Sequence, residues 1–313
     1  MVKLAHRLEH AGLVAMRGIF ERLSLDRGAS IAAATMRPLS PALRKRATAN
    51  LRLAMPGLEE AEYRRIVTGM TDHLTRVLIE YLHLAELRDT PDRIAVTGIE
   101  HLEDARARGR GALLVTGHLG NWEAIRAACA RVDWTPALLY RAFNTVAVDE
   151  EGQRRMRALD APVFHKGKRG TLGLLRHVRR GGVAMILCDQ RFAGAPPVPF
   201  FGLPAKTSLA PVQIAQEYGA ALLPARGIRR GRESAFDVTI GAPLAPGKGD
   251  DAAIETMTEI NGLLESWIRE TPEQYFWLHN RWGTGAEREK ASRGQSPEKS
   301  AENGLSSPCA PDT

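Results

Sequence analysis

Apolar residues recur every three or four positions near the start of the chain, at Leu4, Leu8, Ala11, Ala15, Ile19 and Leu23, with Lys3, Arg7, Arg17 and Arg22 between them. That spacing predicts an amphipathic helix over residues 1–25, seated either on the protein's own core or in a membrane interface. Pro38, Pro41 and the cluster Arg44-Lys45-Arg46 interrupt the pattern, and Ile66, Met70, Leu74, Val77, Leu78 and Tyr81 restore it as a core-facing helix. From residue 94 the texture changes. Short β-rich runs at 94–97, 112–116, 137–140, 183–188, 221–228 and 236–240 alternate with helical segments at 122–131, 147–159, 171–180, 208–218 and 251–270. Such alternation predicts an α/β fold, a central mixed sheet flanked by helices behind an N-terminal amphipathic helical region. The run Pro196 to Thr207 holds prolines at 196, 197, 199 and 204 and reads as a stiff apolar loop, neither strand nor helix. After Trp282 large apolar residues almost vanish, so 284–313 is expected to be a disordered tail. The expected division is a basic, membrane-associating region at 1–50, a catalytic-sized domain at 51–283 and the tail at 284–313.

Composition narrows the setting. With 313 residues and 44% hydrophobic content the chain can bury a sizeable core. Cys129, Cys188 and Cys309 form an odd set without metal-ligand spacing, which argues against a disulfide framework or a zinc site and favours a reducing, cytoplasmic setting. No run approaches the roughly 18–20 apolar residues that span a bilayer, and no signal-peptide pattern opens the chain, so neither crossing nor secretion is expected. The net charge of +7 calls for an anionic partner. Arg154, Arg155, Arg157, Lys166, Lys168, Arg169, Arg176, Arg179 and Arg180 are opposed between residues 154 and 180 only by Asp160. A solvated helix face usually mixes signs, so Lys166, Lys168 and Arg169 are candidate anion-binding residues. The stretch has no interleaved aromatics for base stacking, and nucleic acid is not the expected partner.

The candidate chemistry sits at strand ends. Gly117-His118-Leu119-Gly120-Asn121-Trp122-Glu123 follows the buried run Ala112 to Thr116 and leads into a helix capped by Asn121. On a continuous helix, residues five apart differ by about 140° and do not face one another. The glycines permit a tight turn instead, so Glu123 is expected to reach one nitrogen of His118 and fix its tautomer, leaving the other as a general base. Tyr140-Arg141, with Asn144 nearby, and Asp189-Gln190-Arg191 end two further runs. Ligand crevices in α/β sheets lie beyond the carboxyl ends of strands, where His118, Arg141 and Asp189 are expected to converge. Phe200 and Phe201 fit an acyl-chain pocket wall and plain core packing equally well. There is no Gly-x-Ser-x-Gly elbow, Walker-type phosphate loop or His-Glu-x-x-His helix, and Gly109-Arg110-Gly111 precedes a strand, the wrong order for a dinucleotide site.

Taken together, Gly117 to Glu123, Tyr140-Arg141, Asp189-Gln190-Arg191, Val198 to Gly202 and Pro272 to His279 resemble the bacterial lipid A biosynthesis acyltransferases, the late lauroyl and myristoyl transferases, from about residue 10 to residue 283. The resemblance implies transfer of a fatty acyl group from acyl carrier protein to a hydroxyl of a phosphorylated lipid A precursor at the cytoplasmic face of the inner membrane. It implies no cofactor, metal or covalent acyl-enzyme. His118 then acts as general base with Glu123 fixing its imidazole, Arg141 meets charge on the thioester oxygen, Asp189 holds Arg141, and Asn144 and Arg191 help position substrate. Beside such a membrane substrate, the interfacial seat becomes the better reading for residues 1–25. The rivals are an acyltransferase acting on a glycerol phosphate or glycolipid, which in the glycerol phosphate enzymes usually shows His-x4-Asp where this chain has Glu123, and a non-catalytic basic protein that binds membrane or nucleic acid.

Overall fold

The structure, a computed structural model, describes residues 18–35, 40–140, 146–285 and 288–289. Most of the amphipathic segment expected at 1–25, the strand-end residues Arg141 and Asn144, and nearly all of the expected tail therefore lie outside the described residues. Nine strands and ten α-helices are described in order: α1 (Leu25–Thr35), α2 (Pro41–Ala54), α3 (Glu60–Glu80), α4 (Leu84–Asp89), β1 (Ile94–Thr97), α5 (Ile99–Ala107), β2 (Ala112–Thr116), α6 (Trp122–Cys129), β3 (Ala137–Tyr140), α7 (Val146–Arg157), β4 (Val163–His165), α8 (Lys168–Arg179), β5 (Val183–Leu187), β6 (Pro197–Phe200), β7 (Leu203–Lys206), α9 (Ala210–Tyr218), β8 (Ala221–Arg229), β9 (Phe236–Ile240) and α10 (Asp250–Glu270).

Seven strands form one sheet in the order β1-β9-β8-β2-β5-β3-β4. It is mixed: β8 and β9 pair antiparallel, and every other neighbouring pair is parallel. The central strand β2 is buried along its whole length, and its alternating side chains feed two cores. Leu113 and Val115 join one apolar cluster with residues of α2, α3, α8, α9 and α10; Ala112 and Leu114 join the other with residues of α4, α5, α6 and α7. Helices thus cover both faces, as the α/β alternation predicts. The expected boundary at residue 50 falls inside α2, whose Ala47, Leu51 and Ala54 pack into the first core. In α3, Ile66, Met70 and Val77 are buried as the spacing predicts, whereas Leu78 is 61% exposed. Among the described residues no helix is long and apolar enough to cross a membrane.

The proline-rich run corrects one expectation. Residues 197–206 form an antiparallel hairpin, with Val198 opposite Ala205 and Phe200 opposite Leu203. Ladder N–H groups point alternately toward and away from the partner strand, so prolines spaced two apart are tolerated in a two-stranded ribbon. Pro197, Pro199 and Pro204 face outward while Val198, Phe200, Leu203 and Ala205 are buried. The reversal at Phe201-Gly202 has positive φ at both residues, the geometry of a hairpin turn whose twist matches its strands.

Candidate active site

His118 and Asp189 meet because β2 and β5 are parallel neighbours with Thr116 opposite Leu187. Each functional residue lies two positions past that pair, at the carboxyl edge of the sheet. One Asp189 oxygen accepts the backbone N–H of His118 at 2.8 Å, and the other faces the imidazole Nδ1 at 2.7 Å. The carboxylate therefore fixes both the position of the residue and the rotation of its ring. The side chain of Asp189 is 3% exposed and that of His118 21%. Burial alone raises the carboxyl pKa of Asp189, but the charge of His118, its two hydrogen bonds and nearby Arg281 hold it down to about 2. An ionised acceptor on Nδ1 keeps a proton there and leaves Nε2 as the unprotonated, accepting nitrogen. Gln190 meets that Nε2 with its amide nitrogen at 3.2 Å, an N–H donor on the basic nitrogen.

The linkage between Asp189 and stability has a defined sign. A carboxyl whose folded pKa is depressed contributes stability that is present above its ordinary value of 3.8 and lost as the pH falls through about 2. Acid unfolding of the native chain is therefore expected to include a step in that window, and Asp189→Asn to lack it, as followed by circular dichroism from pH 6 downward.

Glu123 corrects the central expectation about this segment. It does not reach His118. Gly120 has φ +60, and a Cβ there would stand 2.0 Å from the carbonyl oxygen of Gly227, so the turn is pressed against β8, with Asn121 N–H donating to that same oxygen at 2.8 Å. Asn121 caps α6 by accepting from Glu123 N–H at 2.9 Å, as its position predicts. Glu123 then points inward from the first turn, fully buried, pairing with Arg126 at 2.6 Å and accepting from Tyr81 Oη at 3.0 Å. Arg126, also fully buried, donates onward to Pro136 O and Met156 O. The link to His118 is indirect: Tyr81 Oη accepts from Trp122 Nε1 at 2.9 Å, and the Trp122 ring meets the imidazole edge to face at 5.2 Å.

Two segments remote in sequence hold the turn from below. Phe276 N–H donates to His118 O, Gly120 N–H donates to Gln274 O, and the Phe276 ring lies 5.9 Å from the imidazole. Asn121 Nδ2 donates to Glu80 Oε2 at 2.7 Å, and Glu80 is paired with Arg229 and accepts from Ser234 Oγ. His73 faces Gly120 O through Nε2 at 3.0 Å and receives Arg229 Nε on Nδ1. Burial and the neighbouring Arg229 charge lower its pKa to about 4. It is a neutral structural histidine. Sequence reasoning misses Glu80 and Arg229, whose distance from the turn hides them; it reads Tyr81 only as core-facing and Gln274 only as part of the Pro272 to His279 run.

Asp189 holds His118, and its expected partner Arg141, like Asn144, lies outside the described residues. Arg191 donates its backbone N–H to His279 Nε2 at 2.9 Å. Phe200 and Phe201 are buried; Phe200 stacks on Trp282 at 5.9 Å and Phe201 lies 6.1 Å from Trp277. Their rings belong to the core, so the acyl-pocket expectation has no exposed ring surface to rest on. Lys166, Lys168 and Arg169 are exposed at the entrance to α8. Cys188, beside Asp189, is no nucleophile, because burial and the adjacent carboxylate push its thiol up to about 12.

Residues 10–284 match the family described as bacterial lipid A biosynthesis acyltransferase. A lipid A biosynthesis lauroyltransferase of Escherichia coli (strain K12) is 27% identical over 247 residues, covering 76% of this chain and 78% of that protein. A lipid A biosynthesis palmitoleoyltransferase of the same organism is 26% identical over 60% of this chain and 61% of its own length. A phosphatidylinositol mannoside acyltransferase of Mycobacterium tuberculosis (strain ATCC 25618 / H37Rv) is 29% identical over 52% of each. With every described strand and the whole His118 turn inside the matched residues, the chain belongs to the bacterial lipid A biosynthesis acyltransferase family.

Proposed function

We propose that this chain transfers a fatty acyl group from acyl carrier protein to a hydroxyl of a lipid A precursor, at the cytoplasmic side of the inner membrane. The observation that carries the mechanism is the buried Asp189 carboxylate on His118 Nδ1. In this reading Nε2 of His118 removes the acceptor hydroxyl proton as its oxygen attacks the thioester carbonyl. The imidazolium formed is stabilised by Asp189, then returns the proton to the departing sulfur, leaving an ester and a free thiol. Gln190 holds the position from which the hydroxyl approaches and turns aside for it. Arg141 is assigned the charge that develops on the thioester oxygen, and Asn144 and Arg191 the positioning of substrate. Glu123 is a positioning residue, acting through Tyr81 and Trp122.

The test is to express the chain in a Gram-negative strain lacking its late acyltransferases and to weigh the extracted lipid A. The expected result is a gain of one acyl mass, absent with His118→Ala. An unchanged spectrum from a folded, membrane-bound protein contradicts the lipid A assignment. The likeness to a phosphatidylinositol mannoside acyltransferase favours a second reading, in which the acceptor is another glycolipid. That reading predicts unchanged lipid A together with a His118-dependent mass gain in a glycolipid fraction.

A further inference from the structure

The basic stretch of residues 154–180 divides in two once folded. On α7, Arg155 pairs with Glu21 and donates to Leu82 O, while Arg157 meets Gln153 at 3.4 Å. On α8 and its flanks, Lys166, Lys168, Arg169, Arg176, Arg179 and Arg180 are all exposed, and no ion pair among the described residues uses any of them. Successive helical residues advance by about 100°, which gathers Lys168, Arg169, Leu172, Arg176 and Arg179 into an arc of roughly 100°. Leu174 and Val178, buried in the first core, face the opposite way. The stripe runs about 16 Å along the helix at 1.5 Å per residue. Leu172, 49% exposed, sits within it. A recess of about 460 Å³, lined by Phe164, Arg176, His177 and Arg180 among others, opens beside its far end.

We propose that this stripe is the docking surface for an acidic helix of the protein that delivers the acyl thioester. The inference rests on the transfer reading above for the identity of that protein. Three observations choose this occupant. The stripe begins at the carboxyl edge of the sheet, where β4 ends three strands from β2, about 14 Å at 4.8 Å per strand. It then runs down the flank away from His118, too far for the phosphates of one lipid headgroup bound at the site, but along the line a macromolecular surface would cover. Finally, α8 turns its apolar face into its own core and leaves one leucine outward. A helix lying in a membrane interface does the reverse, burying a broad apolar face in the lipid. A central apolar contact ringed by unpaired cations is complementary to an acidic helix with an apolar seam, and governs encounter and register.

The experiment titrates lauroyl-charged acyl carrier protein onto the native chain, Arg176→Glu/Arg179→Glu, Lys168→Glu and His118→Ala. The double reversal is expected to weaken binding at least tenfold, the single one less, and His118→Ala not at all, with the native affinity falling as salt is added. Lys168→Glu keeps the comparison readable should the double variant fail to fold. Equal affinity of the native and reversed chains overturns the proposal. So does loss of binding to phosphatidylglycerol vesicles with carrier binding intact, which makes the stripe a membrane contact. Carrier binding through the stripe without acyl transfer refutes the transfer reading and leaves the docking surface standing.

Discussion

His118→Ala is expected to lower kcat/KM for acyl transfer by about 10²- to 10⁴-fold, the contribution typical of a positioned general base. The purified variant should melt within a few degrees of the native chain. His118 is a fifth exposed, its main-chain bonds to Asp189 and Phe276 do not need the side chain, and Asp189, which loses the ring from one oxygen, keeps the His118 N–H on the other and the nearby Arg281 charge. What alanine removes is the Nε2 lone pair, kept as an acceptor by a carboxylate on the far side of the ring. The pairing of lost rate with retained fold is the signature of a group that acts on substrate.

Glu123→Ala should show the opposite pairing. The side chains of Glu123 and Arg126 are fully buried, and removing one partner of a buried ion pair leaves an uncompensated charge, costing about 3–5 kcal/mol. For a chain of this size that lowers the melting temperature by roughly 10 °C. Tyr81 loses its acceptor as well, and with it the hydrogen-bonded chain that steadies Trp122 against the imidazole. Activity should fall with the folded fraction, and a thermal melt read beside the transfer rate separates this from loss of a base. A double replacement, Glu123→Leu/Arg126→Met, should recover part of the stability, since apolar pairs of similar volume often replace buried ion pairs at little cost.

These contrasts show where one-dimensional pattern suffices. Strands β1, β2, β3 and β9 lie at the predicted limits, because short β-rich runs bounded by glycine, proline or charge are a local signal. The three-residue β4 carries too little of that signal, and the prolines of β6 and β7 disguise a ribbon whose alternation is nevertheless present in Val198, Phe200, Leu203 and Ala205. The convergence of His118 and Asp189 is half legible: both end apolar runs, but that β2 lies beside β5 is a matter of topology. Glu123 misled for a related reason. Its spacing from His118 suggested contact, while its true partners are Arg126, one helical turn ahead and easily taken for a surface residue, and Tyr81, 42 positions earlier. Glu80 and Arg229 are 149 residues apart, and no local pattern announces that two ordinary charged residues will be buried together beneath a turn.

Among the described residues Asp189 is the carboxylate on the imidazole of His118, the proposed base. Asp189→Asn is nearly isosteric, yet its amide donates to Nδ1 and moves the imidazole proton to Nε2, the wrong tautomer for removing a hydroxyl proton. The most direct measurement is the rate of acyl transfer from acyl carrier protein by purified Asp189→Asn, His118→Ala and the double variant. The account predicts that each single variant, still folded, loses nearly as much rate as the double, since the two residues act as one unit. Native rates in folded Asp189→Asn would contradict it.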